Sequence, residues 1–401
     1  MKSKVKKYKV PLMKNALINE GATRKSLASF ILGAEKLSMG NLCAKFEKAF
    51  AKQQGRKDAV LFNSGASANL AMLQALKNLG RLKKGDKIGF SALTWSTNVM
   101  PILQMGLGAI PIDCDPRTLN SMAKCALASL EKEKCAAFFL TNALGFAGDI
   151  DKIEKQCAKK NIIVLEDNCE ALGTELHAGK TGNFSLGSSF SFFVAHHMST
   201  IEGGMVCTDD HEFAEMLRIV RANGWDRNLH PERQDHWRTK HGVESDFHAK
   251  YTFYDLGFNL RPTEITGFLG LHQLKHLEKT TKIREKNFSR VHKAIDKNAD
   301  FLGFDRGHIK ILSAFALPFV CKTAHLRNEY VKRFEKAGVE VRPMIAGNMQ
   351  RQPFYKKYIK RQFDLPGAEL LHYNGFYCGN CPDYTEAEIQ AIIDCITHSK
   401  K

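Results

Sequence analysis

The sequence predicts an α/β fold with two parts: a large domain with a mostly parallel central sheet, and a smaller α+β domain at the C-terminal end. Short apolar runs bounded by polar residues or glycine alternate with helix-like stretches along the first half of the chain, which is typical of parallel strands covered by helices. The 401 residues, 44% of them hydrophobic, also suffice for two separate cores. We expect a basic tail and lead-in segment over residues 1–30, the large domain over 31–298 and the small domain over 299–401.

The spacing of apolar residues predicts the individual elements. In residues 41–54, Leu42, Phe46 and Phe50 stand four residues apart, on one face of a helix that Gly55 ends. Strands are expected at 58–62, 87–93, 109–114, 136–142 and 161–167. Further helices are expected at 66–80, 149–160, 326–338 and 386–396.

Two longer segments lie between these elements. Residues 225–250 are rich in His, Arg and Asp and show little periodicity, so we interpret them as a long surface loop. Residues 263–297 are predicted to form one long linking helix.

Composition limits the partners and the compartment. No apolar run reaches the roughly 18–20 residues that cross a bilayer, and the first residues lack the apolar core of a secretory signal. Eleven cysteines, an odd number, in so long a chain indicate reduced thiols. We therefore expect a cytoplasmic protein without membrane insertion. The charge of +17 could suit nucleic acid, but the lysines are spread along the chain and no RNA-binding aromatic motif is present, so we expect no nucleic acid partner.

Three features lie at or just after the carboxyl ends of expected strands. In open α/β sheets, ligands bind at these strand ends. The turn at 63–67, NSGAS, leads from a strand into a helix, so its backbone N–H groups are suited to an anion. Asp167 ends the strand at 161–167, and Trp95 follows the strand at 87–93. Each has an ordinary alternative: a turn that binds nothing, a helix-capping Asp and a core Trp.

A fourth feature is the pair His196 and His197 in the run SFSFFVAHHMSTIEGG at 189–204. Imidazole takes and returns protons near pH 7, although a lone histidine is more often structural. Histidines also bind metals, but the sequence has no HExxH and no carboxylate cluster with metal spacing. Cys378 and Cys381 form a single CxxC, which favours an ordinary turn. We expect no metal at the pair, and the residues by themselves leave a structural and an acid–base role open.

Together these motifs resemble the DegT/DnrJ/EryC1/StrS family of sugar aminotransferases, fold type I enzymes that use pyridoxal 5′-phosphate (PLP). In that family a lysine six residues before the Glu of the Glu-Gly-Gly turn holds the cofactor covalently. Counting back from Glu202 gives His196. A histidine in place of this lysine resembles the pattern of the nucleotide-sugar 3-dehydratase branch of the family. The runs at 248–274 and at 341–355, the second with AGN and RQP, resemble the same branch.

The resemblance implies a role for each site residue. His196 would be the catalytic acid and base, and His197 a supporting neighbour at the substrate. The residues expected at the cofactor are Gly65, Ala66, Ser67 and Ser191 at the phosphate, Trp95 over the ring, Asp167 at the ring nitrogen, Glu170 at the ring edge, and Asn259 from a partner subunit. The other residues expected at the substrate are Arg342, Asn348 and Arg351.

The resemblance also implies a reaction. The protein would hold PLP noncovalently, convert it to pyridoxamine 5′-phosphate (PMP) with L-glutamate, and remove the C3 hydroxyl of a nucleotide-linked 4-keto-6-deoxyhexose, as in 3,6-dideoxysugar biosynthesis. A homodimer is implied as well. Two alternatives stay open: an aminotransferase that uses another lysine, with Lys180 the nearest upstream, and a nonenzymatic PLP- or nucleic-acid-binding protein, favoured only by the charge.

The sequence departs from the family pattern before the histidine pair, where Phe193 and Val194 replace the common Tyr-Pro. We expect this change to affect packing and substrate fit more than reaction type. One subgroup of the branch carries an iron–sulfur cluster on four cysteines. Cys169 matches the first of them, but residues 225–250 contain no cysteine, so we expect no cluster.

Overall fold

A seven-stranded sheet forms the centre of the large domain in the computed structural model, which describes residues 8–397. The strands of this part of the chain are β1 (Asp58–Phe62), β2 (Lys87–Ser91), β3 (Gly108–Ile112), β4 (Cys135–Thr141), β5 (Ile163–Asp167), β6 (Glu175–Leu176), β7 (Gly179–Lys180), β8 (Gly187–Ser191) and β9 (Gly204–Thr208). All of them except β6 and β7 belong to the seven-stranded sheet. The order across the sheet is β1-β9-β8-β5-β4-β2-β3, and within it β9 alone runs antiparallel to its neighbours.

The expected strands of the large domain are confirmed to within two residues at each end. β1, β2, β3 and β5 bury every residue after the first. A strand that is covered on both faces is apolar along its length. It therefore gives a continuous hydrophobic run that can be recognised in the sequence.

Helices cover both faces of the sheet. Those of the described residues are α1 (Glu20–Gly33), α2 (Asn41–Gln54), α3 (Gly65–Asn78), α4 (Met100–Gln104), α5 (Ala123–Glu133), α6 (Ile150–Ala158), α7 (His211–Arg221), α8 (Pro231–Lys240), α9 (Asp246–Ala249), α10 (Glu264–Leu274), α11 (Leu277–Ile295), α12 (Ala324–Ala337), α13 (Pro353–Tyr358), α14 (Pro366–Asn374) and α15 (Glu386–Thr397). Phe139 of β4 lies in one core with α3 and α7, whereas Phe138 and Leu140 lie in another with α5 and α6. Over residues 8–397, none of these helices is both long enough and apolar enough to cross a bilayer.

The expectation of a long loop at 225–250 is wrong, because α8 and α9 occupy much of this segment. α8 buries none of its residues and is polar on every side, so hydrophobic periodicity could not reveal it. Contacts with other parts of the fold hold α8 in place. Arg238 Nε donates to Asp226 Oδ2 at 2.9 Å, and the Trp237 ring lies edge-on to Tyr254 with centroids 5.7 Å apart.

The single helix expected at 263–297 is two helices, α10 and α11, which are separated by Lys275 and His276. No glycine or proline marks this break in the sequence. Leu277, the first residue of α11, is buried in the same core as Phe46 of α2. The local sequence therefore carries no signal for the break.

The lead-in segment expected before residue 30 packs against the rest of the chain. Val10 is buried and forms an isolated β-bridge with Val339 of the small domain. The Leu12 N–H donates to Glu340 Oε2 at 2.9 Å, and α1 already begins at Glu20. Residues 1–7, which hold most of the basic run, lie outside the described residues.

The small domain contains an antiparallel sheet of three strands in the order β11-β13-β12. The strands of this part of the chain are β10 (Ile309–Ile311), β11 (Ala316–Val320), β12 (Val341–Pro343) and β13 (Gly375–Gly379). β10 pairs with β6, which joins the small domain to the large one. The boundary between residues 298 and 299 stays a prediction.

Candidate active site

A cavity of about 430 Å³ lies at the carboxyl ends of β4, β5 and β8, whose last residues Thr141, Asp167 and Ser191 all line it. The small domain contributes Phe315 and Tyr377 to its wall. The expected site residues that line this cavity are Gly65, Ala66, Trp95, Asp167, Glu170, Ser191 and His196. Tertiary structure thus brings together expected residues that lie on four separate segments of the chain.

The turn between β1 and α3 forms the anion-binding part of the wall. Gly65 is required there, because a Cβ atom on it would lie 2.6 Å from the Cβ of Ser191. The first N–H groups of a helix have no intrahelical acceptor, so those of Gly65 and Ala66 are suited to a phosphate. Ser67 was expected at the phosphate, but its N–H donates to Ser64 Oγ at 3.1 Å and it does not line the cavity. Ser64 does line it.

Asp167 is held in one orientation at the end of β5. Its Oδ2 accepts a hydrogen bond from Asn69 Nδ2 at 2.8 Å, and its Oδ1 accepts one from the Cys169 N–H at 2.9 Å. Its side chain is buried, and no α-helix begins directly after it, so the helix-cap alternative does not apply. The carboxylate is therefore positioned for a ligand group.

His196 lies between two aromatic rings, with centroid distances of 5.9 Å to Phe193 and 5.3 Å to Phe315. Burial lowers the pKa of His196 to about 4, and the nearby Asp167 charge opposes this shift only in part. The imidazole is therefore neutral at pH 7. The ring lines the cavity and can therefore meet a ligand there.

The pKa of Glu170 is shifted in the direction that favours its protonated form. Burial raises its pKa to about 8, although the Leu144 N–H donates to Oε2 at 2.9 Å and favours the charged form; the Asp167 charge raises the pKa further. Its carboxyl group is mostly protonated at pH 7. The cavity wall therefore carries a hydrogen-bond donor at this position.

Trp95 is 56% exposed and lines the cavity, so its interpretation as a core residue is wrong. A large apolar ring left in contact with solvent at a cavity is suited to stack on a flat ligand.

Five further residues expected at the site do not line this cavity of the chain. His197 points away from it, with Nε2 2.8 Å from the Ser313 carbonyl oxygen. Asn348 and Arg351 line a separate cavity of about 300 Å³ and both donate to the Glu369 carboxylate. The remaining two are Arg342, which pairs with Glu340, and Asn259, which accepts from Arg261 Nε at 3.1 Å.

Sequence inspection missed several residues that line the cavity. Phe315 and Tyr377 come from the small domain and belong to no motif near the histidine pair. Ser64 and Thr97 stand beside recognised residues and could have been found by extending those motifs. Thr141 ends a correctly predicted strand, so the rule that ligands bind at strand ends would have identified it.

The residues present fit PLP. The Gly65 turn and the Ser191 hydroxyl suit its phosphate, the fixed Asp167 carboxylate suits its ring nitrogen, and the exposed Trp95 ring suits its flat face. Within residues 8–397, no lysine lines the cavity, so none stands where it could hold the cofactor covalently. Lys180, considered as a substitute, donates to the Gln53 carbonyl at 2.6 Å outside the cavity.

The family profile for the DegT/DnrJ/EryC1/StrS aminotransferases matches residues 19–397, and the chain belongs to this family. Among its relatives, the GDP-4-keto-6-deoxy-D-mannose 3-dehydratase of Escherichia coli O55:H7 is 35% identical over 359 residues, 87% of this chain and 90% of that protein. Two solved structures are similar over the whole fold. The E. coli enzyme with bound hydrated PLP has a TM-score of 0.87 and 32% identity over 97% of this chain and 99% of its own.

The second structure is a GDP-4-keto-6-deoxymannose-3-dehydratase with a trapped PLP-glutamate geminal diamine. Its TM-score is also 0.87, with 32% identity over 96% of this chain and 100% of its own. These similarities confirm the aminotransferase-like fold expected from the sequence.

Proposed function

We propose that this protein is a PLP- and PMP-dependent 3-dehydratase that acts on a GDP-linked 4-keto-6-deoxyhexose, with L-glutamate as the amino donor. The observation that carries the proposal is His196, a neutral buried imidazole at the position where the family places its lysine. The relatives named 3-dehydratases support the same reaction and supply the choice of GDP. The bound glutamate adduct of one neighbour supports the amino donor.

When bound, the cofactor accepts the amino group of glutamate as PMP and then serves as the electron sink for loss of the sugar's C3 hydroxyl. His196 would serve as the base that accepts a proton from the bound cofactor, because its low pKa keeps the imidazole unprotonated at pH 7. Asp167 would keep the ring nitrogen protonated, and Trp95 would cover the ring. Glu170 would donate a hydrogen bond at the ring edge, because its raised pKa keeps its proton in place.

The site also favours a homodimer. Among the described residues, no lysine or arginine lines the cavity, although PLP and a nucleotide diphosphate bring several negative charges. Asn259 is exposed, lies outside this chain's own cavity and accepts a hydrogen bond from the half-buried Arg261. We assign these two residues to the phosphate site of a partner subunit. The eleven cysteines are all free thiols, which supports a reducing compartment, the cytoplasm.

The test of the activity is incubation of the purified protein with PLP, L-glutamate and GDP-4-keto-6-deoxymannose, followed by mass spectrometry of the sugar nucleotide. We expect loss of water from the sugar. A His196→Asn variant should bind PLP but lose dehydration, because asparagine cannot accept the C4′ proton.

Two outcomes would contradict the proposal. Accumulation of a stable 4-amino sugar without loss of water would identify an aminotransferase. Covalent retention of PLP after borohydride reduction would show that a lysine holds the cofactor, since only such a bond survives denaturation.

A further inference from the structure

Asn69 of α3 contacts Asp167 without lining the cavity itself. It stands one helical turn after Gly65 on the same face of α3, and its side chain is fully buried. Its Nδ2 donates to Asp167 Oδ2 at 2.8 Å and to Thr97 Oγ1 at 3.3 Å. Both acceptors belong to residues that line the cavity, so both hydrogen bonds of this side chain go to the active site.

The orientation of the Asn69 amide follows from its partners. An ionised carboxylate only accepts hydrogen bonds, so the amide nitrogen, and not the oxygen, has to face Asp167. Asn69 Oδ1 is then buried without a hydrogen-bond partner. A buried acceptor without a partner lowers stability, and an apolar side chain of similar size would avoid this loss. The amide therefore suits the carboxylate of Asp167 better than it suits the packing around α3.

The surroundings of Asp167 contain no cation to stabilise its charge. In the described part of the chain, no lysine or arginine lines the cavity beside it. The titratable groups that its charge reaches are Cys169, Glu170 and His196. Burial raises the pKa of the Cys169 thiol, raises that of Glu170 to about 8 and lowers that of His196 to about 4, so none of the three is a cation at pH 7. The carboxylate depends on two neutral donors, Asn69 Nδ2 and the Cys169 N–H at 2.9 Å.

We propose that Asn69 is a positioning residue for Asp167. Its amide holds the carboxylate in one orientation and favours the ionised form, so the proton that Asp167 shares with the ring nitrogen of bound PLP stays on the ring. A hydrogen bond to the charged form of a group favours that form. Without Asn69 the carboxylate would compete with the ring nitrogen for this proton.

The inference deepens the proposed function, because a ring that keeps its proton is the stronger electron sink. It rests on the proposed function only for this consequence. The hydrogen bond and its effect on the ring proton concern cofactor binding alone.

The first test uses PLP labelled with ¹⁵N at the ring nitrogen, bound to the wild type and to Asn69→Leu, and compares the ¹⁵N NMR signals at pH 7. Leucine is similar in size to asparagine but has no donor. We expect the wild-type signal at the position of a protonated pyridine, and the Asn69→Leu signal shifted toward that of the unprotonated ring. The same signal in both proteins would overturn the proposal.

Asn98→Leu is the matched control for this substitution. Asn98 is as fully buried as Asn69, but neither polar atom of its side chain has a hydrogen-bond partner and it does not line the cavity. Its ring ¹⁵N signal should equal that of the wild type. A shift of the same size in Asn98→Leu would trace the effect to packing and would also overturn the proposal.

The second test is the affinity for PLP, measured by absorbance titration. Loss of a hydrogen bond to a charged group should weaken binding about tenfold in Asn69→Leu and leave it unchanged in Asn98→Leu. Thermal unfolding of the cofactor-free proteins separates this role from a structural one. A lower Tm in Asn69→Leu with an unmoved ring signal and an unchanged PLP affinity would show that Asn69 serves only the fold.

If Asn69→Leu does not fold, Asn69→Ala takes its place, with the same shift expected and an unmoved ring signal again contradicting the proposal. Both readouts are taken without glutamate or sugar nucleotide. A shifted ring signal in the variant, together with no dehydration of the sugar by the wild type, would overturn the proposed function and leave the role of Asn69 standing.

Discussion

At the scale of single residues, burial sets the protonation states of His196 and Glu170. In water a glutamate loses its proton at a lower pH than a histidinium does. In this cavity the order is reversed, because burial lowers the pKa of His196 to about 4 and raises the pKa of Glu170 to about 8. Between these values the site holds a free base and a protonated acid together, the arrangement that acid–base chemistry at pH 7 requires.

The lowered pKa of His196 predicts a pH dependence of stability. The unfolded chain binds a proton at this histidine below about pH 6.5, whereas the folded chain does so only near pH 4. Stability is therefore lost as the pH falls from about 6.5 to about 4. The free energy of unfolding, measured by urea titration of the cofactor-free protein across this range, should fall less steeply in His196→Asn than in the wild type. Parallel curves would show that His196 keeps an ordinary pKa in the fold.

At the scale of elements, α2 shows how a correctly predicted helix can depend on a distant residue. Its N-cap is Gly40, which has no side chain to cap the helix. Glu264 of α10 does this instead: Oε1 accepts from the N–H groups of Gly40 and Cys43, both at 3.0 Å, and Oε2 accepts from Leu42 at 2.9 Å. The buried carboxylate therefore satisfies three backbone donors at the positive end of the helix.

Removal of this cap should lower the free energy of unfolding. Glu264→Ala leaves three buried or half-buried N–H groups without an acceptor, so we expect a loss of about 2–4 kcal/mol in the free energy of unfolding. Glu278→Ala, an exposed glutamate on the next helix paired only with Lys282, is the control and should be nearly neutral. Thermal and urea unfolding of both variants provide the measurement. Equal losses in the two would mean that Glu264 contributes no more than a surface charge.

At the scale of the whole molecule, the two domains meet closely at Gly145. This residue has φ +91°, and a Cβ on it would lie 2.3 Å from the Ser313 carbonyl oxygen and 2.8 Å from Ala314 Cα. Phe315, the next residue of the small domain, lines the active-site cavity. The close contact at Gly145 therefore sets the position of one wall of the site.

Gly145→Ala should separate the domains at this point. Gly80→Ala is a matched control, because Gly80 has φ +68° but nothing within 4 Å of its Cβ position. The control isolates the cost of positive φ, about 1 kcal/mol, and Gly145→Ala should lose roughly 1–3 kcal/mol beyond it. PLP affinity, followed by absorbance titration, should fall in Gly145→Ala and not in Gly80→Ala. A PLP affinity equal in both variants would show that this contact does not set the wall.

The sequence by itself determined the parallel sheet, the Gly65 turn, the strand-end Asp167 and the histidine at position 196. Each of these depends on neighbours within a few residues, through a buried strand's apolar run or a fixed count from Glu202. Tertiary structure alone decided the cap from Glu264, the polar helix α8, the break before α11 and the place of Phe315 in the site. It also decided that His196 is unprotonated and Glu170 protonated at pH 7, because those protonation states follow from burial and from charges brought together across the chain.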